Sequence, residues 1–254
     1  QLRHFRMTGG EPMMDKNTYK VFDYVIENPK KDLHLNVTSN FCPPTPALGD
    51  RYFNMVKTMC DGAMIEHFMQ FVSLDAWGER AEYIRNGMDF STVWSNVHRY
   101  LHDIKGYNSI TFIITMNNLS VSSLKELLEN ILRLREQYST TYQRVWFDTP
   151  ILRFPVWQHI GLLDESFNHY FEEAIQFMKD HQHDSDMAGF RDFEIAKLTR
   201  TYRIMQQGLE NKEQHLANFW RFFRTHDSRR ETDLLGVFPE YKDWFKLCQQ
   251  ATKT

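Results

Sequence analysis

An α/β fold built on parallel strands is predicted by three features of this sequence. Short β-branched and aromatic stretches recur, amphipathic helical patterns fill the gaps between them, and turn residues mark the joints. Five stretches read as strands: Leu2–Thr8, Leu33–Thr38, Ile65–Ser73, Ser109–Thr115 and Arg144–Thr149. Between the first two, Tyr19, Phe22, Val25 and Ile26 share one face of a helix over Asp15–Glu27. Tyr52, Phe53, Val56 and Met59 mark the next helix, and Phe90, Val93, Trp94, Val97 and Leu101 the third. Leu124, Leu127, Leu128, Ile131 and Leu132 follow a capping box of Ser123 and Glu126. Phe167, Tyr170, Phe171, Ala174, Ile175 and Met178 mark a fifth helix. Strands alternating with helices at this spacing make a parallel sheet covered by helices. Five units are too few to close an eight-stranded barrel, so an open, incomplete (β/α) barrel is expected.

After about residue 180 the alternation stops and a mainly helical C-terminal extension is expected. Its helices are marked by Ile195, Leu198, Tyr202 and Met205, by Leu216, Phe219, Trp220 and Phe223, and by Phe245 and Leu247 after Pro239. The polar run from His181 to Asp186 reads as a linker. The chain therefore divides, on this reading, into 1–180 and 181–254.

Composition narrows the function. With 254 residues, 42% hydrophobic and 25% charged, the chain has ordinary globular composition. A net charge of −3 lacks the basic footprint of a nucleic-acid-binding domain. The longest apolar runs are as short as Phe112-Ile113-Ile114, against the roughly 20 residues of a membrane span. Gln1 to Arg6 are polar and basic with no apolar stretch after them, so no signal peptide is expected. Cys42, Cys60 and Cys248 lie too far apart for metal-ligand spacing and read as reduced thiols of a cytoplasmic protein. The 20 Phe residues suggest a thick core.

In parallel α/β proteins, sites form at the carboxyl ends of strands. Here those ends carry short hydrogen-bonding residues. The first is followed by Thr8-Gly9-Gly10-Glu11-Pro12, whose glycines let the backbone approach a ligand and whose carboxylate can accept from an ammonium. The second ends in Thr38-Ser39-Asn40, and the third in Ser73-Leu74-Asp75 with Arg85 twelve positions after Ser73. Arginine suits a bidentate grip on a carboxylate. Asn117 and Asn118 follow the fourth. Each end alone is an ordinary polar loop; the joint pattern is more telling.

That pattern resembles the radical S-adenosylmethionine (SAM) superfamily. Gly9-Gly10-Glu11-Pro12 is similar to the family's GGEP segment, which implies that Gly9, Gly10 and Glu11 bind the ammonium of the SAM methionine. Ser73 and Arg85 stand where family members hold the SAM carboxylate. Ser39, Asn40, Asp75 and Asn117 become candidates for ribose, nucleoside or substrate contacts. The tail from Phe222 to Arg230, with Phe238-Pro239-Glu240, resembles the twitch-domain-containing type. The order and spacing agree over residues 1 to about 178.

The resemblance implies a [4Fe–4S] cluster, an electron donor, and cleavage of SAM to a 5′-deoxyadenosyl radical that modifies an unknown substrate, a peptide being one candidate. The cluster needs three closely spaced cysteines, which this chain lacks. The five strands then match the family's second to sixth, and the first strand and cysteine loop are expected upstream of Gln1. The chain alone is expected to be inactive, with no auxiliary cluster in its tail. Its first strand would be an exposed edge, open to self-association. Two other readings remain: a non-catalytic α/β domain binding a nucleotide or a protein, and a metal-dependent hydrolase. The second suffers from having no His pair at strand-end ligand spacing.

Overall fold

The computed structural model describes residues 2–139, 141–183 and 187–253. Residues 184–186, part of the expected linker, lie outside them. The chain forms two compact units. The first contains Gln1–Leu74, Met88–Ile113 and Arg133–Asp148; the second contains Asp75–Gly87, Ile114–Leu132 and Thr149–Thr254.

The first unit holds an open α/β sheet. Its five strands are β1 (His4–Met7), β2 (Lys30–Ser39), β3 (Ile65–Ser73), β4 (Asn108–Ile113) and β5 (Val145–Asp148). All pair in parallel, in the order β1-β2-β3-β4-β5. Each predicted strand is present, β3 with the predicted bounds and the other four with ends moved by one to three residues. β2 starts earlier than the sequence suggested because Lys30 N–H donates to Met64 O at 2.8 Å, ahead of a register shift between Lys30 and His34. Among the described residues β1 pairs only with β2 and is an edge of the sheet.

The helices of this unit begin where the sequence supplies caps. Asp15 accepts the Asn17 N–H at the start of α1 (Lys16–Glu27), and Thr45 accepts Leu48 N–H at the start of α2 (Pro46–Asp61). Pro46 sits in the first turn of α2, where its missing N–H costs nothing. The helix α3 (Glu79–Ile84), in the second unit, was not foreseen. It is too short to show a period and carries no side-chain cap. In the first unit, Asp89 caps α4 (Phe90–Asp103) through Thr92 N–H at 2.6 Å.

Alternation along β3 sends Phe68 to the helical side, where its ring meets Phe22 of α1 at 6.2 Å and Tyr100 of α4 at 6.4 Å. Tyr52 and Gln70 are buried in the same layer, and their polar ends satisfy one another: Tyr52 OH donates to Gln70 Oε1 at 2.6 Å, and Gln70 Nε2 donates to Val37 O at 3.2 Å. Such pairing removes the cost of burying a lone amide. The other side chains of β1 to β3 include His4, Arg6, His34, Thr38 and Phe71; Arg6 lies 4.4 Å from the Phe71 ring and donates to Thr38 Oγ1 at 3.2 Å. His67 is buried, with Nε2 at 3.0 Å from Ser109 Oγ.

The segments of the second unit that precede residue 149 follow β3 and β4 directly in the chain, and the rest follows β5. α5 (Leu124–Tyr138) begins in this unit; Ser123, its expected cap, accepts the Trp77 N–H at 3.0 Å. Beyond β5, all described helices and strands are helical: short 3-10 turns, then α6 (Asn168–Asp180), α7 (Asp192–Gln207), α8 (Lys212–Arg230), α9 (Leu234–Val237) and α10 (Lys242–Gln250). Aromatic packing holds them. Phe219 stacks near Phe223 (4.4 Å) and Trp244 (4.8 Å), and Phe167 meets Tyr241 at 4.7 Å. Buried Tyr241 donates its hydroxyl to Asn118 O at 2.5 Å. Arg80 grips both oxygens of Glu240 at 3.1 to 3.3 Å.

Candidate functional site

In the first unit the polar ends of β1 and β2 form one hydrogen-bonded cluster. Gly9 and Gly10 turn the chain out of β1 with φ of +91° and +58°. A Cβ at either would meet nothing within 4 Å, so the backbone conformation, not space, demands glycine. The turn presents Glu11. Its Oε1 accepts from Met13 N–H at 3.0 Å and from Ser39 Oγ at 2.6 Å, while Oε2 accepts from Asn40 N–H at 2.8 Å. Ser39 is buried and its oxygen in turn accepts Phe41 N–H at 2.9 Å; Asn40 Oδ1 accepts Cys42 N–H at 2.9 Å. Pro12 follows in the turn, with Asp15 N–H donating back to its carbonyl at 3.3 Å. A carboxylate offers about four lone-pair sites. Three are taken, by neutral donors, which leaves one place for an incoming N–H.

Ser73 closes β3 in register with Ile113 and is half-buried. The strand ladder continues one residue further, from Leu74 N–H to Ile113 O at 3.1 Å.

In the second unit, Asp75, Arg85 and Asn117 line a single cavity of about 420 Å³. Asp75 is 5% exposed; Oδ1 accepts Thr115 N–H at 2.8 Å and Oδ2 lies 2.8 Å from Arg85 Nε. That contact is an ion pair by distance, yet the Nε–H is not aligned for a hydrogen bond and stays buried without an acceptor. Asp75 is the guanidinium's sole polar partner among the described residues. Arg85 thus retains donors for an outside anion. Asn117 is committed differently: Nδ2 donates to Thr115 O at 2.9 Å and Oδ1 accepts Leu119 N–H at 2.9 Å, so both ends of its amide build the loop.

The same cavity is lined by Tyr83, Gln158, Phe222, His226 and Arg230, none of which the strand-end rule pointed to. A signal was present: Phe222, His226 and Arg230 recur every fourth residue along α8, which places them on one face. Tyr83 OH donates to Asp227 Oδ1 at 2.7 Å. Burial raises the Asp227 carboxyl, but Leu234 N–H and the hydroxyls of Tyr83 and Thr232 outweigh it and hold the group below its usual value.

The thiols do not fit an iron–sulfur cluster. Burial pushes the Cys60 thiol up to about 12 and raises Cys248 as well, whereas cluster ligands must be thiolates. Cys42 lies by Asp89, whose N–H points at its sulfur from 3.5 Å. Among the described residues no group of three or more His, Cys, Asp or Glu is placed to hold a metal ion. No described helix is long and apolar enough to cross a membrane. Compared with known proteins, the chain matches no family model, no curated protein and no solved structure.

Proposed function

We propose that this chain is part of a radical SAM enzyme, its sheet a segment of a (β/α) barrel and its strand ends a binding surface for SAM. Glu11 carries the reading. It is a carboxyl acceptor at the carboxyl end of a parallel strand, presented by two left-handed glycines, braced by three donors and left with one acceptor place. A methionine ammonium is the group that satisfies such a carboxylate by a charge-assisted bond. Arg85, in the second unit, keeps under-used donors that suit a carboxylate such as that of methionine, and Ser73, at the end of β3, is a separate candidate for the same class of group. The sequential strand order supports the barrel reading, since doubly wound sheets reverse their order at a switch point and this one does not.

When bound, SAM and a [4Fe–4S] cluster supply radical chemistry that no side chain can. The residues of this chain bind and orient the amino-acid end of SAM. They do not hold the cluster, whose ligands this reading assigns to a segment outside these 254 residues, together with an electron donor. A second reading for the chain by itself is a domain that binds the nucleoside without cleaving it, since Cys42, Cys60 and Cys248 are not closely spaced as a cluster requires.

Calorimetric titration of the full chain with SAM tests the proposal. Saturable binding is expected, weakened roughly tenfold or more in Glu11→Gln, as loss of a charge-assisted bond implies. The same affinity in both proteins removes Glu11 from the site, and no binding at about millimolar SAM defeats the reading.

A further inference from the structure

The cavity of the second unit has a chemistry of its own. Its lining carries two guanidinium groups, Arg85 and Arg230, and one imidazole, His226, against a single carboxylate, Asp75, that is already paired. Arg230 has no hydrogen-bond or ion-pair partner among the described residues. Its place in the last turn of α8 complements the helix dipole, but that requires only a charge nearby, not a position on a cavity wall. The helix face is also rigidly set. Asp227 binds Tyr83 OH, Thr232 Oγ1 at 2.7 Å and Leu234 N–H at 2.9 Å, and the Phe222 ring lies 4.2 Å from that of Trp157. Phe222 remains 42% exposed, so its ring has surface left to cover.

We infer that this cavity binds a nucleoside monophosphate. Arg230 is unpaired among the described residues and Arg85 keeps donors beyond its contact with Asp75, so two guanidinium forks face the cavity, beside His226, whose Nδ1 lies 3.4 Å from Asp227 Oδ1. Guanidinium forks grip phosphate oxygens two at a time. Phe222 offers a flat apolar face for a base, a stacking that every base accepts. The volume of about 420 Å³ falls within the range of small-molecule pockets. The inference shares Arg85 with the SAM reading but rests on Phe222, His226 and Arg230, which belong to none of the strand-end motifs.

The test is calorimetric titration of the full chain with AMP, GMP, CMP and UMP, with adenosine and inorganic phosphate as partial probes. At least one monophosphate is expected to bind, with adenosine and phosphate each weaker by roughly tenfold or more. Arg230→Gln should weaken the monophosphate about tenfold and leave adenosine unchanged. Phe222→Ala should weaken the monophosphate and adenosine but not phosphate. Arg230 has no internal partner, so an unchanged melting curve of Arg230→Gln certifies its fold. Absence of binding by all four nucleotides at about millimolar concentration, or affinity indifferent to both substitutions, overturns the inference. The outcomes separate the two proposals. Nucleotide binding through Arg230 without Glu11-dependent SAM binding removes only the SAM reading, and the reverse removes only this one.

Discussion

Two carboxylates follow neighbouring parts of the same strand-end pattern, and they are used in opposite ways. Glu11 in the first unit is held by three neutral donors, two of them backbone N–H groups. Asp75 in the second unit is more deeply buried and accepts one backbone N–H while facing a guanidinium whose own N–H is misaligned. The first arrangement locks a turn and leaves the charge uncompensated. The second neutralises the charge and leaves the cation with donors to spare. A strand-end acid is therefore not one kind of object: its neighbours decide whether it offers a negative charge or positions a positive one.

The contrast is broken most forcefully at Asp75. Asp75→Ala should cost about 3 kcal/mol in urea unfolding, since it strands the Thr115 N–H and a partly buried guanidinium together; the partial exposure of Arg85 keeps the figure at the low end for a broken buried pair. A cost below about 1 kcal/mol would place the pair among ordinary surface salt bridges.

A second separation is by pH. Burial, then the neighbouring His34, lowers His67 in the first unit from its usual value to about 4. The neutral ring is the form that the fold favours, so stability is full above about pH 6.5, falls as pH drops towards 4, and levels off below that. The loss should reach about 3 kcal/mol and vanish in His67→Asn. Asp227 in the second unit has the other dependence. Its carboxyl is held low, so its contribution persists above about pH 4 and disappears in stronger acid. Unfolding monitored from pH 7 to 3 in His67→Asn and Asp227→Asn should flatten different parts of the curve; one shared window for both would contradict these assignments.

Smaller effects sharpen the Glu11 side. Glu11→Gln replaces one acceptor by a donor facing the Asn40 N–H or the Ser39 hydroxyl and should cost about 1–2 kcal/mol. Gly10→Ala should cost about 1 kcal/mol by thermal melting, through backbone strain alone, because the space around its Cβ is open. A loss much above that would mean that the side chain meets something after all.

Much of this was legible in the residues themselves. Alternation of β-branched and aromatic stretches with 3.6-period patterns marked all five strands and, except for the short α3, the helices between them. The strand-end rule also picked Glu11, Ser39 and Asn40, which do come together. It picked Asp75 and Arg85, which pair with each other. What it missed was Phe222, His226 and Arg230, about 140 residues beyond Arg85: their spacing puts them on one helix face, but nothing local says which residues share a cavity with that face.

Sequence alone located the five strands and the longer helices between them, since these follow from each residue's conformational preferences and its nearest neighbours. Only the tertiary structure decided which polar groups are already satisfied. Asn117 looks as available as Asn40 along the chain, yet its amide is consumed by the loop around it. Hydrogen bonds saturate, and whether a donor or acceptor remains open depends on partners that folding brings from elsewhere in the chain.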